Sequence, residues 1–204
     1  MNTDMQKVSY LIGRQIGADF KKQEIAINFD DFFQGVRSAF LGEKSELDDD
    51  ETNRVMSAFQ QTMQQKAQEM AAKMTEENRI AGEAFLTENK GREGVMVTAS
   101  GLQYRVLESG SGKSPDPTST VETHYEGCLI DGTIFDSSYA RGETVSFPVN
   151  GVISGWTEAL QLMKEGDVWE LTIPSELAYG AQGAGQMIGP HSTLRFKVEL
   201  IKVN

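Results

Sequence analysis

The chain has 204 residues, 39% of them apolar, with one cysteine and a formal net charge of −11. That length holds one large domain or two small ones, and the acidic balance argues against phosphate backbones and anionic membrane surfaces, so nucleic acid is not an expected partner. Cys128 has no second cysteine for an internal disulfide, and no run of about 18 apolar residues is present for membrane insertion.

The opening "MNTDMQKVSY" lacks the apolar core of a secretory signal. The expected location is therefore the cytoplasm, or the periplasm if a leader was removed ahead of this numbering. In chain order, "MQKVSYLIGRQIGADFKK" places Val8, Leu11, Ile12, Ile16 and Phe20 at the spacing of an amphipathic helix. A shorter helix, "DDFFQGVRSAFLG", starts at an Asn28 or Asp30 cap and stops near Gly42. Two such helices cannot enclose Leu11, Ile12, Phe20, Phe32, Phe33, Val36 and Phe40, because below about 40–50 residues a lone core is marginal. A second copy of the chain is the natural cover, so residues 1–47 are expected to form a helical dimerisation domain. Gly13 and Gly17 read either as a close-contact face or as two tolerated glycines.

The stretch "DDDETNRVMSAFQQTMQQKAQEMAAKMTEENRIAGEAFLTENKG" predicts one long helix over 48–91, with Asp48 as cap and Glu51 at the capping-box position. At 1.5 Å per residue it would run ~60 Å, longer than a small domain is wide, and so act as a connecting rod. Met56, Met63 and Met70 recur along it with Phe59, Ala67 and Met74 between. That stripe either packs on the N-terminal helices of either subunit or lines a partner helix or client-binding groove.

Backbone chemistry then changes. All five prolines lie at or beyond Pro115, and fourteen of the twenty glycines lie beyond residue 91. The hydrophobic period becomes two: "GLQYRVLESG", "TVETHYEGCLI", "TIFDSS", "TVSFPVN", "DVWELTIP" and "STLRFKVELIKVN" read as strands between turns. One helix interrupts them, "GWTEALQLMKEG", with Trp156, Ala159, Leu160 and Met163 on one face and Gly166 as its stop. Residues 92–204 are thus expected to form a domain of antiparallel sheet packed on a single short helix, giving an α+β chain.

Chemistry-bearing residues are sparse. No Ser-His-Asp arrangement or Gly-rich phosphate loop is readable, and His124, His191, Cys128 and Asp136 lack the close ligand pairs of a zinc site. Neither a metal nor a cofactor is expected. Asp136 stands in "THYEGCLIDGTIFDSS" without a second convergent carboxylate for acid–base work, and it also reads as a turn cap for Ser137 and Ser138.

"VETHYEGCLIDGTIFDSS", "VISGWTEALQLMKEGDVWELTIPSELAYG" and "IGPHSTLRFKVELIKV" closely resemble the FKBP-type peptidyl-prolyl cis-trans isomerases over about residues 98–204. The helical first half and rod are similar to those of the macrophage infectivity potentiator (Mip)-like branch, which is dimeric through its N-terminal domain. The resemblance implies a C-terminal half-barrel of antiparallel strands curled around one helix. It implies a proline pocket with Trp156 as floor, Tyr125, Phe135, Phe147 and Phe196 as walls, and Val152 and Ile188 as further apolar contacts. The Ile153 N–H and the Tyr179 hydroxyl would hold substrate carbonyls, and Asp136 would be a hydrogen-bonding wall residue beside Arg141 and Tyr125. The implied activity is cis–trans isomerisation of X-Pro bonds in unfolded or partly folded polypeptides by a homodimer, open to tacrolimus-type macrolide inhibitors. A holdase chaperone, recognising proline with incidental turnover, is the alternative.

Overall fold

Side-chain caps set the start of each helix in the first part of the chain. Residues 3–204 are described by the computed structural model, which divides into two compact units between Gln61 and Thr62. Helix α1, Asp4–Lys22, opens on a reciprocal capping box: Thr3 Oγ1 accepts from the Gln6 N–H at 3.3 Å and Gln6 Oε1 from the Thr3 N–H at 3.2 Å. Helix α2, Phe29–Leu41, starts under Asn28, whose Oδ1 accepts from the Asp30 N–H at 2.9 Å, and stops at Gly42 with φ of 69°. Helix α3, Asp49–Asn89, starts as expected under Asp48, whose Oδ1 accepts from the Glu51 N–H at 2.8 Å.

In the first unit α1 and α2 bury no residue. Phe20 meets Phe32 edge-on at 5.5 Å, yet Leu11, Ile12, Phe33 and Phe40 stay exposed, Phe40 at 89%. This is the unmet apolar surface that the spacing of the sequence anticipated.

The second unit is built on seven antiparallel strands: β1 (Val95–Val97), β2 (Gln103–Glu108), β3 (Thr120–Leu129), β4 (Ile134–Ser137), β5 (Val145–Pro148), β6 (Val168–Ile173) and β7 (Leu194–Val203). Their order is β1-β2-β6-β7-β3-β4, with β5 also paired to β3. Two short helices complete it, α4 (Ser138–Arg141) and α5 (Ser154–Leu162). Strand β1 and helix α4 were not legible in the sequence, being only three and four residues long. Strand β7 buries Leu194, Phe196, Val198 and Leu200 by strict alternation, and these pack with Trp156, Ala159 and Leu160 of α5 and with Val121, Leu171 and Ile173. The half-barrel around one helix is therefore present.

Helix α5 stops earlier than its sequence suggests. It ends at Leu162, and Met163 leaves it in extended backbone with its side chain fully buried. Gly166, expected as the stop, instead takes φ of 90° in the following turn. The Lys164 N–H and the Gly110 N–H both donate to the Asp167 carboxylate, at 2.7 and 2.6 Å, so a buried side chain outcompetes a further helical turn.

Candidate active site

Strand β3 divides its free edge between two partners, and that division builds the site. Residues 120–123 pair with β5, Val121 opposite Phe147, while residues 126–128 pair with β4, Gly127 opposite Asp136. Tyr125 lies in the gap between the two pairings. Its backbone there is completed by a side chain: Ser138 Oγ accepts from the Tyr125 N–H at 2.7 Å and donates to the Tyr125 carbonyl at 3.1 Å. Ser138 is fully buried and also bonds His124 Nδ1 at 2.8 Å. Two short strands thereby place Phe147, Phe135 and Asp136 on either side of Tyr125.

These residues line a cavity of about 460 Å³. Tyr125 comes from β3, Phe135 and Asp136 from β4, Phe147 from β5, Trp156 from α5 and Phe196 from β7. Gly151, Val152 and Ile153 enter from the turn before α5, and Tyr179 and Ile188 from the loop between β6 and β7. All ten residues named from the sequence are thus brought to one cavity. Gly151 joins them unannounced, since a residue with no side chain leaves no apolar signal. A second cavity, about 190 Å³ and lined by charged groups that include Arg105, Glu170 and Arg195, falls short of the few hundred Å³ usual for ligand sites.

Ring contacts fix the walls. Trp156 receives three aromatic neighbours edge-on: Tyr125 at 5.3 Å, Phe196 at 5.4 Å and Phe147 at 5.8 Å. Such T-shaped pairs set the positive ring edge on the negative face and add to burial. Phe135 meets Phe196 at 5.6 Å across Gly127, where a Cβ would come within 2.6 Å of both rings. Glycine at that position is what lets the two walls close. Trp156 is only 4% exposed, and its indole N–H has no hydrogen-bond partner among the described residues. Ile153 is the residue before the first turn of α5, so its N–H stands outside the helical ladder.

Asp136 has two partners. The Tyr125 hydroxyl donates to Oδ2 and Arg141 to Oδ1, and Arg141 also reaches the Tyr125 oxygen at 3.3 Å. Burial pushes the Asp136 carboxyl up, but the hydrogen bonds from Tyr125 and Arg141, with the guanidinium charge, outweigh it and hold the group below its ordinary range. Burial, and then the Asp136 carboxylate, push the Tyr125 phenol up. The helix-capping task open to Asp136 falls to Ser137, whose Oγ accepts from the Ala140 N–H at 3.2 Å at the start of α4. The strand period sends His124 and Cys128 to the opposite face of β3 from Tyr125. Among the described residues no three of His, Cys, Asp and Glu converge.

A family model described as FKBP-type peptidyl-prolyl cis-trans isomerase matches residues 111–201. Another, the domain amino terminal to FKBP-type peptidyl-prolyl isomerase, matches residues 5–106. The chain is 43% identical to outer membrane protein MIP of Legionella longbeachae, over 100% of this chain and 87% of that relative. It is 44% identical to the FKBP-type 22 kDa peptidyl-prolyl cis-trans isomerase of Escherichia coli K12, over 97% and 94% of the two chains. The crystal structure of FkpA from Escherichia coli superposes with a TM-score of 0.80 at 39% identity, covering 100% of this chain and 98% of that one. A relative named for the outer membrane gives no support to the cytoplasmic location expected from the sequence. Matched in both halves and alike along its full length to these relatives, the chain belongs to the FKBP-type peptidyl-prolyl cis-trans isomerases.

Proposed function

We propose that this chain accelerates cis–trans exchange of X-Pro bonds in unfolded or partly folded polypeptides. The observation that carries the reading is the aromatic-walled cavity with Trp156 in it, reached by apolar side chains from five elements and two connecting segments. Rotation about a peptide bond is opposed by about 18–20 kcal/mol because resonance gives the C–N bond double-bond character. Twisting removes that resonance and moves charge off the carbonyl oxygen. The twisted amide is therefore less polar than either planar isomer and loses less on leaving water. Walls of Tyr125, Phe135, Phe147, Trp156 and Phe196 favour it over both ground states, which is the condition for catalysis.

Uncatalysed exchange takes tens to hundreds of seconds, so lowering the barrier by about 4 kcal/mol gives roughly a thousandfold gain. The Ile153 N–H and the exposed Tyr179 hydroxyl hold neighbouring substrate carbonyls in this reading, Val152 and Ile188 contact the chain beside the ring, and Asp136 orders the Tyr125 wall. The deciding measurement is proline-limited refolding of a model protein with and without a tacrolimus-type macrolide. Turnover abolished by the macrolide supports the isomerase; suppression of aggregation without faster refolding supports the holdase.

The exposed apolar faces of α1 and α2 support homodimerisation through residues 1–47, with residues 48–91 as the connecting helix and 92–204 as the isomerase domain. Exposure of Met56, Met70 and Met74 on α3 supports a client-binding contribution beside catalysis. The name of the Legionella relative favours an envelope location, which fractionation of the source cells tests directly.

A further inference from the structure

Within the second unit the face that α3 turns to the sheet lies beyond most of the methionine stripe, of which Met74 stands against the β6–β7 loop at Gly189. Apart from Met63, the less exposed positions of α3 there are Thr75, Asn78, Gly82, Phe85, Leu86 and Asn89, spaced as one helix face but carrying two amides and a glycine. A polar stripe of this kind is invisible to a search for hydrophobic periodicity.

Its contacts converge on the loop between β6 and β7. Asn78 Nδ2 donates to the Pro190 carbonyl at 2.8 Å and approaches Ser192 Oγ at 3.4 Å. Ser192 Oγ donates in turn to the Gly189 carbonyl at 2.9 Å. Helix and loop approach closely: a Cβ on Gly82 would come 2.5 Å from Thr193 Oγ1, leaving no room for a methyl group, and one on Gly189 would come a tight 3.0 Å from Asn78 Nδ2 and from Met74 Sδ.

That loop carries Ile188 into the prolyl cavity. Ile188 is tied to Ala184 by two backbone hydrogen bonds of 2.8 and 3.2 Å. The segment returns through His191, a non-glycine residue at φ of 52°, whose N–H donates to the Gly180 carbonyl at 2.8 Å. A backbone held in the left-handed region persists only where its surroundings over-determine it. Asn78 supplies such a restraint on both sides of His191, at Pro190 and at Ser192.

We infer that Asn78 is a positioning residue of the catalytic cavity: by pinning residues 190 and 192 it fixes the loop that sets Ile188, and with it the site's tolerance for the residues flanking proline. This rests on the isomerase reading above. It also makes the C-terminal half of α3 part of the enzyme as well as a connection.

The test uses the full chain carrying Asn78→Asp, which keeps size and helix but sets an acceptor against the Pro190 carbonyl, and Asn78→Ala as a second variant. With short peptides differing in the residue before proline, KM is expected to rise about fivefold, the scale of one lost hydrogen bond, while kcat stays within about twofold. The ranking of those peptides should change as well. Hydrogen exchange at the Ile188 amide should accelerate about tenfold in both variants, a readout that needs no activity. Unchanged exchange overturns the pin whatever the kinetics. Faster exchange with unchanged KM and ranking overturns the positioning role. A wild-type chain inactive on every peptide refutes the isomerase reading and the positioning role together, while the exchange measurement still decides the pin.

Discussion

Asp136 carries its charge beside an aromatic cavity, and its two partners determine what it does there. The Tyr125 hydroxyl and Arg141 stabilise the ionised carboxylate, so the group is poorly suited to deliver a proton near neutrality. Because its folded pKa lies below the unfolded value, its contribution to stability is complete above about pH 4 and is lost as pH falls through the lowered folded value. Tyr125 moves the other way and stays neutral through the physiological range. The pH profile of kcat/KM is therefore expected to be level between about pH 5 and about pH 9, and a bell in that range would assign proton transfer a role it lacks here. Asp136→Asn should likewise retain activity within about tenfold, since it keeps an acceptor for the Tyr125 hydroxyl. Trp156→Ala removes the ring on which Tyr125, Phe147 and Phe196 converge. Its kcat/KM should fall by more than about tenfold, at a stability cost of about 3–5 kcal/mol, and a folded variant with full activity would refute the aromatic floor.

At the scale of elements, strand β3 shows what the sequence discloses and what it conceals. Alternation along "TVETHYEGCLI" announces the strand and the inward face of Tyr125, and motif likeness announces every large side chain of the cavity. Neither announces how the edge of β3 is shared between β4 and β5, because register is set by bulges and by hydrogen bonds that leave no hydrophobic period. Ser138 is the clearest case. In sequence it reads as a turn residue after Asp136, whereas in the fold its hydroxyl replaces a missing strand partner for both polar groups of the Tyr125 backbone. Ser138→Ala leaves those two groups buried and unpaired, so unfolding in urea should show a loss of about 2–3 kcal/mol. Activity per folded molecule should fall less than for Trp156→Ala, and a variant as stable as wild type would show that β3 tolerates the gap. Gly166 gives the opposite lesson. A glycine after an apolar run suggested the end of α5, but the Asp167 carboxylate captures the Lys164 N–H and ends the helix earlier, a tertiary effect that no local propensity encodes.

For the whole molecule, the division between Gln61 and Thr62 separates a unit with little buried surface from one with an ordinary core. Residues 62–204 retain the polar stripe of α3, including the Asn89 amide, which donates to Gln103 Oε1 at 2.9 Å and to Thr172 Oγ1 at 3.2 Å. A fragment beginning at residue 62 is therefore expected to fold and to isomerise short peptides with kcat/KM within about twofold of the intact chain. A fragment beginning at residue 92 loses that face, leaving Gln103 and Thr172 without the Asn89 amide and Arg195 without the Phe85 ring 5.6 Å away. Its thermal midpoint should be lower by several degrees, about what 1 kcal/mol produces in a domain of this size. In the dimer reading the first unit serves assembly. Sedimentation of the intact chain should give near twice its 22.5 kDa mass, and Leu11→Glu with Phe40→Glu should return it to the monomer by placing charge on the exposed apolar faces. Two cavities on such a dimer would raise the effective concentration of the second site once a long client is held by the first. The monomeric variant should then match wild type on short peptides but accelerate refolding of a whole protein about tenfold less. Equal refolding activity in monomer and dimer would show that each cavity works alone and that the N-terminal helices serve some purpose other than client capture.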